Sequence, residues 1–153
     1  MDQKERDKAW ITDMIRDFIA NPSHNTLQNE AGEKAWDEPL VGFSRGDDPL
    51  YEEFKRHIGD FYFTPSEIFT LTFPEAQVSA GDITIISWIL PHTDKIKRDN
   101  QQEKLFPSER WARARNFGEM VNAALRRRLV STLHEKGHPA LAPDLSPFKK
   151  YEI

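Results

Sequence analysis

From Leu105 to Leu133 the chain reads LFPSERWARARNFGEMVNAALRRRLVSTL, and this stretch constrains the fold more than any other. Ala114, Phe117, Val121, Leu125, Leu129 and Leu133 recur at three- and four-residue intervals, the period of one apolar face on an α-helix. Pro107 and Ser108 supply a start, because proline suits a first helical turn and a serine hydroxyl caps its open N–H groups. Gly137 supplies the stop. Such a helix needs a surface to lie on. The uncharged, β-branched run ITIISWIL, Ile83 to Leu90, sits between Gly81-Asp82 and Pro91 and reads as a strand buried on both faces. The expected fold class is therefore α+β or α/β, with a small sheet holding that central strand, helices flanking it and one long C-terminal helix.

Upstream, Ala9, Trp10, Met14, Ile15, Phe18 and Ile19 lie near helical spacing, and Asn21-Pro22 stops the run, which predicts an amphipathic helix over 5–20. Residues 23–36 are polar and aperiodic, an irregular connector, and Leu40 to Phe43 is a short apolar run compatible with strand or loop. Asp47 or Asp48 caps a helix carrying Leu50, Phe54 and Ile58 on one face, which Gly59 ends. Thr64-Pro65-Ser66-Glu67 opens a further short helix. The polar stretch His92 to Gln102 reads as a ligand-facing loop, and Pro139 to Pro143 as a short strand completing a right-handed parallel crossover. Tyr151-Glu152-Ile153 reads as the start of another strand or as the break point of a longer chain. The expected organisation is an N-terminal helix and connector over 1–34 and a single α/β domain over 35–153.

At 153 residues the chain is long enough to bury a core without disulfides, and four Trp and ten Phe supply bulky anchors for it. It contains no cysteine, which removes thiolate chemistry, cysteine-ligated zinc and iron–sulfur clusters from what this polypeptide does alone. Residues 1–78 hold 8 basic against 16 acidic side chains, net −8, and residues 79–153 hold 13 against 9, net +4. That split steers an anionic ligand or RNA to the basic half, or draws the halves of one fold together. No apolar run is long enough to span a bilayer and the charged stretch MDQKERDKAW lacks an apolar core of secretory type, so a cytoplasmic, membrane-free protein is expected.

Arg110, Arg113 and Asn116 recur every third residue and share the helix flank beside the apolar stripe, where they would hold an anion or an amide-bearing ligand. A solvated flank with ion pairs to Glu109 or Glu119 satisfies the same pattern. Trp111 suits stacking on a ligand ring, a core position or a lid. Arg126, Arg127 and Arg128 are consecutive and fan around the helix, so they do not track one phosphate backbone, although with Arg115 they leave RNA binding as a reading. His134 and His138 have the separation of a helical metal pair, but Gly137 interrupts the helix between them, and no metal site is expected. Asp144, in Pro143-Asp144-Leu145-Ser146-Pro147, follows the expected strand at a position where open sheets place ligand contacts, and where turn formation is the other explanation.

The blocks AWDEPLVGFSRGDDPLYEEFK, ITIISWILP, LFPSERWARARNFGEMVNAALRRRL and PALAPDLSP together resemble the N-terminal part of iron–sulfur proteins related to epoxyqueuosine reductase, found mainly in anaerobic bacteria. The resemblance runs from about Ala35 onward and is strongest over Ser108 to Asn116 and Pro139 to Pro147. It implies an N-terminal α/β domain that helps bind a corrinoid, followed by a cysteine-rich domain carrying two [4Fe-4S] clusters. The cobalamin site would then involve Arg110, Arg113, Asn116 and Asp144, and the clusters would belong to a C-terminal domain outside this chain or on a separate polypeptide. In the family the matching helix carries an aspartate proton donor, and here Asn116 stands in its register. An amide does not transfer a proton at neutral pH, which argues against epoxyqueuosine as substrate and tRNA as partner. The expectation is a ligand- or cofactor-facing domain of an oxidoreductase, not redox-competent by itself. The competing readings are a non-catalytic protein-interaction domain and an RNA-binding domain. An apolar face left by the absent domain would also favour homo-oligomers.

Overall fold

Asp2 accepts the Glu5 N–H at 2.8 Å and so opens the first helix, in a computed structural model that describes residues 2–148. Five helices follow in chain order among the described residues: α1 (Gln3–Ala20), α2 (Leu50–Ile58), α3 (Pro65–Thr72), α4 (Asp94–Gln102) and α5 (109–135). Two strands, β1 (Leu40–Arg45) and β2 (Thr84–Ile89), form an antiparallel sheet. The chain is thus mixed helix and strand with a small sheet and a long C-terminal helix, as its periodicities predict.

Three expectations are corrected. Among the described residues the sheet has two strands, so β2 has one neighbour there and is not central, and Thr84, Ser87 and Ile89 are exposed. An uncharged, β-branched run specifies a strand but does not count the strands beside it. Residues 139–142 form no strand, Pro143–Leu145 is a 3₁₀ turn, and the pairing is antiparallel, so no parallel crossover forms. Pro139 and Pro143 lack the N–H that a ladder needs. The expected loop His92 to Gln102 is largely α4: Thr93 Oγ1 accepts the Ile96 N–H at 3.3 Å, and Ile96, 1% exposed, anchors the helix. One apolar residue in a nine-residue helix leaves no period to read. The expected strand at Tyr151-Glu152-Ile153 lies outside the described residues.

The described chain divides into two compact units, the first made of residues 2–41 and 88–129 and the second of 42–87 and 130–148. In the first, α1 buries Ile11, Ile15 and Ile19 at four-residue spacing, and Leu27, Ala35, Ile96 and Ala114 form a buried cluster against which Trp36 and Trp111 pack. Val121, Leu125 and Leu129 continue the stripe of α5. The connector before Trp36 is irregular, yet it is pinned. Asn25, 3% exposed, donates to the carbonyls of Ile19 and Trp36 at 3.0 and 2.8 Å and accepts from the N–H groups of Ala35 and Trp36 at 3.0 Å, which uses its whole amide.

In the second unit, Arg45 grips Asp47 with both arms at 2.8 and 2.7 Å, and Asp48 accepts the Leu50 N–H that opens α2. Gly46 donates its N–H to the Ile83 carbonyl at 2.8 Å, and a Cβ there would stand 2.7 Å from the Ala80 carbonyl oxygen. Only glycine permits that approach. Thr64 and Glu67 form the expected capping box at the start of α3, and Glu67 also pairs with Lys55 at 2.5 Å. At the other end of the chain Gly137 takes φ +83° and the His138 N–H reaches back to the Leu133 carbonyl at 2.9 Å, which terminates α5.

Candidate functional site

Ser108 begins the site by bonding to two helices at once. Its Oγ accepts the Trp111 N–H at 3.2 Å and so caps α5, while its own N–H donates to Asn100 Oδ1 of α4 at 3.0 Å. Ser108 is buried, and the exchange fixes where the first turn of α5 starts. Arg110, two residues into that turn, donates through Nε to Glu33 at 2.8 Å and through Nη1 to Asp99 of α4. Glu33 also takes Lys95 and the Asn29 amide, the latter at 2.7 Å.

These donors set the charge state of Glu33. Hydrogen bonds from Arg110 first, then Lys95 and Asn29, hold its carboxyl at about 2 against an ordinary 4.5, with burial opposing them. Reciprocally, Glu33 and then Asp99 raise Arg110 above its ordinary range. Arg113 pairs with Glu109 at 2.8 Å and donates to the Gln28 carbonyl at 3.1 Å. Gln28 holds φ +53°, a left-handed backbone that turns the chain at this point. The result is a doubly buttressed corner between the connector, α4 and α5.

Beside that corner lies a cleft of about 390 Å³, walled by Arg110 and Arg113 and by the carboxylates of Asp99, Glu103 and Glu109. Asn29, Gln102 and Ser108 add neutral polar groups. Two guanidiniums already committed to carboxylates leave little net attraction for a free anion. What the cleft offers is a mixture of donors and acceptors, the lining that suits a neutral, amide- or hydroxyl-bearing ligand.

The sequence-expected residues separate into three places. Arg110 and Arg113 share the cleft; Asn116 is exposed and does not line it. Its backbone carbonyl instead accepts the Glu119 N–H, inside a π-helical stretch, Ala114–Gly118, that interrupts α5. Asp144 belongs to the second unit, exposed in the Pro143–Leu145 turn. Trp111 packs on the buried cluster with the Arg115 guanidinium 5.9 Å from its ring, the core alternative for that side chain. Arg126 pairs with Glu119 at 3.1 Å.

Glu33, Asp99, Lys95 and Gln28 complete the corner, and sequence reasoning missed all four, because their partners are remote in the chain. Trp36 and His92 were missed too. Their rings stack with centroids 4.7 Å apart, and His92 Nδ1 is buried with no hydrogen-bond partner among the described residues. Burial first, then the charges of Arg115 and Lys97, keeps the His92 pKa below its ordinary value. Among the described residues no group of three or more His, Cys, Asp or Glu is placed to hold a metal ion, and no helix is long and apolar enough to cross a membrane. No family model, curated protein or solved structure matches the chain.

Proposed function

We propose that this chain is the ligand- or cofactor-facing N-terminal domain of an iron–sulfur oxidoreductase of the epoxyqueuosine-reductase-like kind. The observation that carries the reading is the Ser108 to Asn116 turn, whose Arg110 and Arg113 wall a polar, charge-compensated cleft of about 390 Å³. That volume is at the lower end of small-molecule sites, so it fits an amide-bearing edge of a corrinoid and not the whole macrocycle. Arg110, Arg113, Asn29 and Gln102 are the groups that would meet such an edge, and the corrinoid would supply the redox-active cobalt chemistry. Cluster ligation does not fit these 153 residues, which hold no cysteine, so electrons would arrive from another domain or polypeptide. Leu105 and Phe106, 87% and 78% exposed directly before the turn, provide apolar surface of the kind such a domain covers.

Titration of cobalamins with the longest product of the gene, followed by corrinoid absorbance, tests the reading. The expected result is a saturable spectral change that Arg113→Ala weakens about tenfold, the loss of one charge-assisted contact. An unchanged corrinoid spectrum, with the clusters intact, refutes the corrinoid assignment.

A further inference from the structure

We propose that Trp36 is a positioning residue for the cleft: its indole holds residues 114–118 in a widened helical turn and thereby sets the rotational register in which Arg110 and Arg113 meet their partners. The inference takes its functional meaning from the ligand-facing reading above, but its geometry and its test need no ligand.

A π-helical turn closes hydrogen bonds five residues apart where an α-turn closes them four apart, so the stretch Ala114–Gly118 accommodates one extra residue. Were it to close as ordinary α-helix, residues 109–113 would rotate against the rest of α5 by about 100°, one residue's worth of helical turn. Arg110 would then leave Glu33 and Asp99, and Arg113 would leave the Gln28 carbonyl. Something must favour the wide form, because isolated π-turns are rare. The Trp36 indole is placed to do so. Its Nε1–H donates to the Gly118 carbonyl at 3.0 Å, at the end of the wide turn.

Two further observations make this contact specific. A Cβ on Gly118 would lie 2.7 to 3.0 Å from three atoms of the indole, so the ring approaches that closely only because the position is glycine. The ring itself is not free to drift: His92 stacks on it at 18° between planes, Asn25 pins the Trp36 backbone, and an antiparallel bridge joins Trp36 to His92. At the other end of the turn the Arg110 and Arg113 contacts require the same register. The wide turn is therefore held from both sides.

Trp36→Phe keeps a ring on His92 and removes the N–H. In the 153-residue chain, hydrogen exchange of the amides from 114 to 122 is expected to accelerate about tenfold, as for a locally destabilised segment. The Glu33 carboxyl, followed by NMR titration, is expected to move back toward the ordinary carboxylate range as Arg110 turns away. Deletion of Arg115 removes the extra residue and lets the segment close as α-helix with residues 109–113 in their native register, so in that background Trp36→Phe should change neither readout. Unchanged exchange and Glu33 titration in Trp36→Phe, or equal effects in both backgrounds, would overturn the proposal. If Trp36→Phe alone does not fold, the deletion carrying it must; failure of both assigns Trp36 to core packing only.

Discussion

Replacing Glu33 by glutamine tests the electrostatic core of the candidate site most directly. The residue accepts from three side chains, Arg110, Lys95 and Asn29, and its carboxyl sits at about 2 instead of 4.5. Taken at full value that displacement corresponds to about 3 kcal/mol of linked stability. The full value does not survive solvent: Glu33 is 17% exposed, but its partners Arg110 and Lys95 are 32% and 56% exposed, and screening reduces the figure to about 1–2 kcal/mol. Urea unfolding at neutral pH should therefore show the Glu33→Gln midpoint lowered by about 0.5–1 M at an unchanged slope. The pH dependence carries the sign. A carboxyl whose folded pKa is depressed stabilises fully above its unfolded value and loses that contribution as pH falls toward the folded one. The gap between wild type and Glu33→Gln should hold down to about pH 5, be roughly halved near pH 3 and close toward pH 2. A neutral-pH gap below about 0.3 kcal/mol, or one that stays constant from pH 6 to pH 3, would refute the assignment of Glu33 as the charged hub.

Thr64→Ala removes the hydroxyl half of the α3 capping box and should cost about 1 kcal/mol in chemical denaturation, while Ser66→Ala in the same turn serves as a neutral control. Gly46→Ala places a methyl 2.7 Å from the Ala80 carbonyl and 2.9 Å from Ile83 Cβ, and should lower the thermal midpoint by the equivalent of about 1–3 kcal/mol. Burial, followed by the charges of Arg115 and Lys97, depresses the His92 pKa; its contribution to stability is present above the ordinary histidine range and is lost as pH falls through it. His92→Phe, which retains an aromatic ring against Trp36, should flatten that part of the stability–pH curve, and the His92 ring-proton shift in wild type should titrate below the free histidine value.

How much of this was legible depended on how local each feature is. Capping is local, so Thr64 with Glu67, Ser108 before Glu109, and Gly137 were readable from adjacent residues. The stripe Ala114, Val121, Leu125 and Leu129 was readable because a long helix averages out single exceptions. On α1 the period gave the helix but not the register of its buried line: Ile11, absent from the expected set, is buried, whereas Ala9 is exposed. α4 was invisible because it has one apolar anchor, Ile96, and its other residues are charged or amide side chains, of which Asp94, Lys95, Lys97 and Asp99 form ion pairs. The strand count was illegible for a different reason. β-Branched composition reports what a strand prefers on its faces, and only the partner segment decides how many neighbours it receives.

The cleft shows why helix-flank patterns underdetermine function. Arg110 and Arg113 were expected either to hold a ligand or to sit in local ion pairs, and the structure has Arg113 paired with Glu109 four residues earlier, about one turn away, while Arg110 pairs with residues 77 and 11 positions distant. Both arginines therefore spend their charge inside the protein, yet both still face the cleft. Those roles are compatible. A guanidinium has five N–H donors in a fixed fork, and pairing with carboxylates locks its plane without consuming every donor. A locked, neutralised arginine presents oriented N–H groups to a neutral acceptor such as an amide carbonyl, whereas a loose one would favour a free anion. The compensation by Glu33, Asp99 and Glu109 is thus the feature that selects among ligand classes, and neutralising one of those acids should shift the preference of the cleft toward anions.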